Sequence, residues 1–359
     1  MKAALISLGS KSSEMTGEAM KKYFQQIDLL HLTKIEVRLG KESGIFYENK
    51  LLDNYDCVYV KGSFRYANLL CSIASMLEGK IPYMPLPANA FTTVHNKLLT
   101  HLVLQQHNIA MPRTYLSSNT ETAKELLKRV NYPIVMKFPE GTQGKGVMFA
   151  DSISSASSLL DALVALKQPF IIQEYIDTGG TDIRALVVGD KVIAAMRRKA
   201  QTEEKRANIH AGGKGQPVQL TSAIINLALA TARALKADIC GVDILEGPLG
   251  PLVIEANISP GLQGLGEVST LDLPDQIARF LHRKTEESLQ SGKKNATDNV
   301  LKDLKLDTNE EPSQKIITHL QFRGERILLP EWVARIAKFN ELKDYIVHSK
   351  KGKIEIEEM

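Results

Sequence analysis

Apolar and polar positions in the first part of the chain fall into short blocks whose period switches between that of a strand and that of a helix. Ala3–Leu8 is an almost continuous apolar run, as expected of a strand buried on both faces. Glu14–Phe24 carries helical spacing, Ile35–Leu39 and Cys57–Val60 read as further strands, and Tyr66–Glu78 as a second helix. Alternation of this kind predicts a small parallel sheet with covering helices. Three prolines within Ile81–Pro87 then punctuate the chain and mark a boundary.

A second unit starts near Asn89. Lys97–His107 is amphipathic and helical, Ala110–Leu116 is extended with Pro112 helping to straighten it, and Thr120–Val130 is again helical. Tyr132–Lys137 and Val147–Ala150 read as strands on either side of the glycine-rich stretch Pro139–Gly146, so that stretch is the turn of a hairpin. Phe170–Tyr175 is a strand followed by the polar turn Thr178–Asp182. Ile183–Val188 and Lys191–Met196 are joined by Gly189-Asp190, a two-residue hairpin signal. Thr221–Leu235 is a long helix, and Gly241–Leu245 with Leu252–Ala256 forms another hairpin. From Lys284 to about Gln314 the chain is rich in Ser, Asn, Lys, Asp and Glu, which predicts a solvated linker. Ile316–Phe322 and Lys353–Glu357 are strand-like and Trp332–Phe339 is helix-like; a module of that size is marginal alone. The expected organisation is therefore an N-terminal α/β domain at 1–88, a larger unit at 89–285 with a cleft between 89–173 and 174–285, a polar linker at 286–315 and a small C-terminal α+β module at 316–359.

Composition narrows the function classes without choosing one. With 359 residues, 43% of them apolar and 24% charged, the chain is an ordinary globular protein of two or three domains. The formal charge of +4 suits an anionic substrate such as a nucleotide but does not argue for nucleic acid or membrane. Cys57, Cys71 and Cys240 are far apart and form no C-x-x-C pair, which argues against a structural zinc site or a disulfide framework. No apolar stretch approaches the ~20 residues that span a bilayer, and the N-terminus lacks a secretory pattern, so a soluble, cytoplasmic protein is expected.

The strongest chemical signal is an acidic hairpin. Asp243 lies among apolar neighbours in GVDIL, and Glu255 and Asn257 stand two apart in LVIEANISPG, hence on one face of an extended strand. Neighbouring strands are ~4.8 Å apart, so the three can present oxygen ligands at one point, the chemistry that magnesium prefers. The alternative is two half-buried strands with polar groups facing water, but acids in apolar strands are costly unless paired or metal-bound. Lys137 closes one strand and Lys97 opens a helix; one cation from each unit can reach the phosphates of a nucleotide between them, although either alone reads as a surface charge. The loop EGTQGKG, with Gly141, Gln143, Gly144 and Gly146, offers backbone N–H groups to phosphates. Its spacing is not that of a Walker A loop, and its hairpin position suits a lid. Gln173-Glu174-Tyr175-Ile176 ends a strand between two units and can present backbone groups to an adenine edge. The cations from Arg197 to Arg206 sit beside the presumed phosphate site. They lack the interleaved aromatics of a nucleic-acid patch, so binding of an acyl phosphate or an acidic substrate accounts for them better.

Taken in order, Lys97, VMKFPEGTQGKGV, QEYI, DIRALVVGDKVIAAMRR, RANIHAGG, GVDIL and VIEANISPGLQG resemble the ATP-grasp superfamily, and within it the RimK-like amino-acid ligases. The resemblance runs from about Lys97 to Arg283, with a compatible preceding α/β domain, and implies the ATP-grasp fold, an α/β and α+β architecture. It implies that Lys97 and Lys137 contact nucleotide phosphates, that Gln173, Glu174, Tyr175 and Ile176 surround adenine, and that Asp182 lies near the ribose. Arg184 and Asn208 would face the phosphates and transferred group, Arg198 would stabilise an acyl phosphate, and Asp243, Glu255 and Asn257 would hold Mg²⁺ or Mn²⁺. Ser259 and Gly261 would shape the acceptor side. The implied reaction is ATP-driven amide formation through an acyl phosphate, adding glutamate or a similar amino acid to a protein tail or a small metabolite. A LysX-type ligase of amino-acid biosynthesis, a non-catalytic ATP-binding regulator and a nucleic-acid-associated protein are the rival expectations. Residues 316–359 match nothing in the family core, and docking of an acceptor or homo-oligomer formation would suit them.

Overall fold

The structure is a computed structural model that describes residues 1–117, 119–141, 146–199, 214–303 and 321–358, the last range without 325, 338, 341, 342, 351 and 352. The chain divides into two compact units, Met1–Thr297 and Asp298–Met359.

The first unit begins with β1 (Lys2–Ser7), whose run Ala3–Ile6 is buried on both faces, as its unbroken apolar sequence demands. Helix α1 (Lys11–Met20) follows, started by Ser10, whose hydroxyl accepts the Ser13 N–H. Next come β2 (Gln26–His31), β3 (Ile35–Arg38), β4 (Gly44–Tyr47), β5 (Lys50–Leu51), β6 (Cys57–Val60) and α2 (Ala67–Leu77). The parallel sheet has the order β2-β1-β6. The expected strand Ile35–Leu39 forms as β3 but belongs to a separate antiparallel sheet β3-β4-β5 instead of the parallel one. The parallel partner is Gln26–His31, an edge strand only partly buried, whose sequence carries no clean alternation.

Helices α3 (Ala88–His95) and α4 (Lys97–Gln106) lead into a four-stranded sheet of order β7-β10-β8-β9, made of β7 (Thr114–Tyr115), β8 (Ile134–Lys137), β9 (Val147–Ala150) and β10 (Ile171–Glu174). Helices α5 (Thr120–Leu127) and α6 (Ile153–Ala165) pack with it around a core that includes Leu127, Ile134, Met136, Leu160 and Ile172. A five-stranded antiparallel sheet follows, ordered β13-β12-β11-β14-β15 from β11 (Thr181–Val188), β12 (Lys191–Lys199), β13 (Lys214–Pro217), β14 (Ile239–Gly247) and β15 (Gly250–Asn257). Helix α7 (Ser222–Ala234) contacts β11, β12, β14 and β15. This sheet shares one hydrophobic core with the N-terminal parallel sheet, so Val58 and Val242 belong to the same cluster.

After α8 (Gln263–Val268), helix α9 runs from Leu273 to Asp303. It occupies much of the segment expected to be an irregular linker. Pairs such as Arg283–Glu287 at 2.6 Å and Lys284–Glu287 at 2.9 Å support its exposed side, opposite the buried Leu281 and Thr285. In the second unit, β16 (Gln321–Arg323) and β17 (Arg326–Leu328) form one hairpin, α10 (Glu331–Ile336) follows, and β18 (Tyr345–Lys350) and β19 (Lys353–Glu358) form another. Most of the expected strand Ile316–Phe322 lies outside the described residues.

Candidate active site

Cross-strand register gathers the polar residues of the five-stranded sheet on one face. Asp182 is opposite Arg198 on β12, Arg184 is opposite Asp243 on β14, and Asp243 is opposite Glu255 on β15. Directly opposed residues, and residues two apart on a strand, share a face. Asp182, Arg184, Arg198, Asp243, Glu255 and Asn257 therefore line one side. The other side carries Ile183, Ala185, Val187, Val242 and Ile244 into the core.

Geometry within this face is specific. Arg184 grips Asp243 with a two-pronged contact, Nε to Oδ1 and Nη2 to Oδ2, each 2.7 Å. Arg198 does the same to Asp182, with Nε at 2.6 Å from Oδ1, and its Nη2 also lies 2.8 Å from Asp243 Oδ2. Two acids and two guanidiniums compensate one another, which is how Asp182, Asp243 and Arg198 are accommodated at only 4–6% exposure. Burial alone would push the Asp243 carboxyl up, but the charges of Arg184 and Arg198 overcome it and hold the group well below the usual carboxylate range. Glu255 is more open, with its side chain 39% exposed, and Asn257 Oδ1 accepts the Ser259 N–H at 2.9 Å.

The lysines approach from α4 and β8. Asn96 caps α4, its Oδ1 accepting the N–H groups of Leu98 at 3.0 Å and Leu99 at 3.2 Å, and this fixes Lys97 as the first helical residue. Lys97 Nζ donates to the Gly141 carbonyl at 2.9 Å and lies 3.9 Å from Glu255 Oε1. At the end of β8, Lys137 Nζ donates to Gln173 Oε1 at 2.6 Å, and burial pushes its ammonium down to about 8. Gln173 Nε2 in turn donates to Thr114 Oγ1 at 2.8 Å and lies 3.4 Å from His101 Nε2. The residue that leads into β9 is fixed as well: Gly146 has φ of +78°, and a Cβ there would sit 2.2 Å from the Phe138 ring.

Other candidates are placed as follows. Glu174 Oε2 accepts the Arg113 N–H at 3.2 Å, and the Tyr175 ring meets Phe149 edge-on at 5.7 Å. Ile176 lies close to Gly247 in the β14–β15 turn. Ser259 Oγ accepts the Gly62 N–H at 3.0 Å, bringing the loop after β15 to the N-terminal sheet. Gln143, Gly144 and Asn208 lie outside the described residues, as does Arg206. Sequence reasoning does not single out His101 or Thr114. The one available signal is the four-residue spacing from Lys97 to His101, which puts both on one side of α4. Burial pushes His101 down to about 4, so its imidazole is neutral near pH 7.

The donor set suits a hard divalent cation. Asp243 is ionised, and each of its oxygens retains lone-pair capacity beyond its guanidinium bonds; Glu255 is open, and Asn257 contributes an amide oxygen. Among the described residues no group of three His, Cys, Asp or Glu side chains gathers at one point, so the set is two acids and an amide. Magnesium is commonly held by so few protein oxygens, with phosphate and water completing its shell.

The sequence model of the RimK-like ATP-grasp domain matches residues 94–281. A "Probable alpha-L-glutamate ligase" of Shewanella loihica is 35% identical over 272 residues, covering 75% of this chain and 90% of that protein. Among solved structures, the ATP-grasp ligase PsnB complexed with minimal precursor, Mg and ADP superposes with a TM-score of 0.62 at 16% identity, covering 79% of this chain and 98% of that one. A RimK domain ATP-grasp protein of Sphaerobacter thermophilus gives 0.60 at 17% identity, covering 78% and 99%. At such identities the structures speak for the fold. The chain belongs to the RimK-like ATP-grasp family and is an ADP-forming carboxylate–amine ligase. Among the described residues no helix is long and apolar enough to cross a membrane.

Proposed function

We propose that this ligase joins glutamate, through its amine, to a carboxylate on a protein tail or a small metabolite, with ATP and magnesium. The observation that carries the reading is the single face on which Arg184, Arg198, Asp243, Glu255 and Asn257 stand within reach of Lys97. The relative from Shewanella loihica, named as a probable alpha-L-glutamate ligase, supports the choice of amino acid.

In this reading the acceptor carboxylate attacks the γ-phosphorus of ATP and ADP leaves, giving an acyl phosphate. The glutamate amine attacks the acyl carbon, phosphate departs, and the amine loses a proton as the amide forms. Lys97 and Lys137 hold the phosphates from the α4 and β8 side. Arg184 and Arg198, already oriented by Asp243 and Asp182, direct guanidinium N–H groups toward charge building on the transferred phosphoryl oxygens. Asp243, Glu255 and Asn257 would hold magnesium, which neutralises charge between phosphate oxygens. Positioning and electrostatics suffice, and no protein nucleophile is used.

The test is ADP and phosphate release by the purified chain with ATP, magnesium, glutamate and a panel of carboxylate acceptors, with products weighed by mass spectrometry. A product heavier than the acceptor by one glutamyl residue is expected. ATP binding without turnover for any amino acid and acceptor would instead favour a non-catalytic nucleotide-binding regulator.

A further inference from the structure

Away from the face just described, and among the described residues, Lys61 is a buried cation with no carboxylate paired to it. Lys61 directly follows β6 and is 4% exposed. Among the described residues its ammonium has no ion pair, and it lies over the Tyr59 ring, 5.5 Å from Nζ to the ring centre. Burial pushes Lys61 down to about 8 with no carboxylate opposing the shift. Tyr59, two residues back on the same face, has a buried hydroxyl with no hydrogen-bond partner among the described residues. A largely buried cation without a counter-ion is costly, and proteins normally pair it.

Topology says what stands beside it. The chain passes from β1 to β2 on one side and returns to β6 on the other, so the carboxyl ends of β1 and β6 flank the switch point of the parallel sheet. Open α/β sheets bind ligands at that crevice. Lys61 lies there, its N–H donating to the Ile6 carbonyl at 2.8 Å. The loop that follows β15 closes on the same end: Ser259 Oγ accepts the Gly62 N–H at 3.0 Å, and Ser12 Oγ accepts the Leu262 N–H at 2.9 Å. The crevice is thereby tied to the strand bearing Glu255 and Asn257.

We propose that Lys61 is the counter-ion for a carboxylate of the incoming amino acid, and so the residue by which the ligase prefers a dicarboxylic amino acid to a neutral one. The proposal rests on the ligase reading for its substrate, but the site itself is testable with glutarate, a dicarboxylate that has no amine and cannot be ligated. Glutarate and glutamate are expected to raise the melting temperature of the full-length protein, glutamine less so. Lys61→Met, close in shape and uncharged, is expected to melt no lower than wild type, because it removes an uncompensated charge. It is expected to lose the glutarate shift and to raise KM for glutamate about tenfold to a hundredfold, the worth of a charge-assisted hydrogen bond, with ADP affinity unchanged. Lys61→Arg is expected to keep part of the glutarate shift.

Retention by Lys61→Met of the glutarate shift and of the wild-type KM would overturn the proposal. So would a variant that melts well below wild type with KM unchanged, since that marks a purely structural lysine. Failure of the two readings is distinguishable. A wild-type protein stabilised by glutarate that never turns over ATP with glutamate sinks the ligase reading and supports the anion site. Turnover with glutamate, and no glutarate shift in wild type, sinks the anion site alone.

Discussion

At the scale of single residues, the two acids opposed across β14 and β15 have different environments and should fail differently. Asp243 is almost fully buried and shared by two guanidiniums, whereas Glu255 is 39% exposed and only loosely approached by Lys97 at 3.9 Å. Asp243→Asn leaves Arg184 and Arg198 with one carboxylate between them, so it is expected to cost about 3–5 kcal/mol of stability as well as activity. Glu255→Gln should leave stability within about 0.5 kcal/mol while lowering the rate of ADP release by about a hundredfold or more. Denaturant melts alongside turnover assays check this; equal destabilisation by the two variants would show that both acids serve the fold rather than the chemistry. Gly146 poses a steric question instead. With φ at +78° and the Phe138 ring 2.2 Å from where a Cβ would stand, Gly146→Ala must move the base of the loop. A raised KM for ATP with an unchanged KM for glutamate is the expected signature in steady-state kinetics.

At the scale of elements, β8 and α4 deliver the lysines, and the register that supports Lys137 sets its titration. Lys137 is opposite Ile171, two residues before Gln173, whose Oε1 accepts its ammonium. In the free protein burial lowers this ammonium to about 8, so raising the pH through 8 removes the proton and with it the attraction for phosphate. Affinity for magnesium–ADP, read by calorimetry, should fall by about tenfold per pH unit above that point and be flat below it. His101, at about 4, is neutral throughout and adds no step. Lys137→Arg should abolish the alkaline fall, since a guanidinium keeps its proton; a fall that persists in this variant would assign the titration elsewhere. Much of this was legible in the sequence. Gly189-Asp190 betrayed the β11–β12 hairpin, and the spacing of Glu255 and Asn257 gave their common face, because both are local patterns. The Arg184–Asp243 pair was not legible as a contact, since it joins positions 59 residues apart through a register that only the folded sheet fixes. Strand β2 escaped because a partly buried edge imposes no clean alternation, and α9 because its polar composition from Lys284 on masks a helix whose exposed side carries ion pairs.

For the first unit as a whole, the distribution of hydrophobic cores governs what can move. The N-terminal sheet and the five-stranded sheet share one cluster, from Leu5 and Val58 through Ile183 and Val242 to Leu281. The four-stranded sheet with α5 and α6 has a smaller cluster of its own, built on residues such as Leu127, Met136 and Leu160. Lys137 and the start of the glycine loop belong to the small core, and Asp243, Glu255 and Lys61 to elements of the large one. A nucleotide held by both sets of residues, as proposed, would bridge two separate hydrophobic clusters of this unit. Cooperative opening units follow such packing boundaries, and a unit with less buried apolar surface opens at lower free energy. Amides of β8, β9 and β10 are accordingly expected to exchange with solvent sooner than those of β11 and β14, although both sets are hydrogen-bonded strands. Magnesium–ADP should slow exchange in β8–β10 strongly and in β11 and β14 only slightly, because the ligand stabilises the weaker body by tying it to the stronger. Hydrogen exchange read peptide by peptide decides the matter. Equal protection of the two sheets without nucleotide would mean that the small core is no separate opening unit. Protection gained equally by both would mean that nucleotide stabilises one indivisible body.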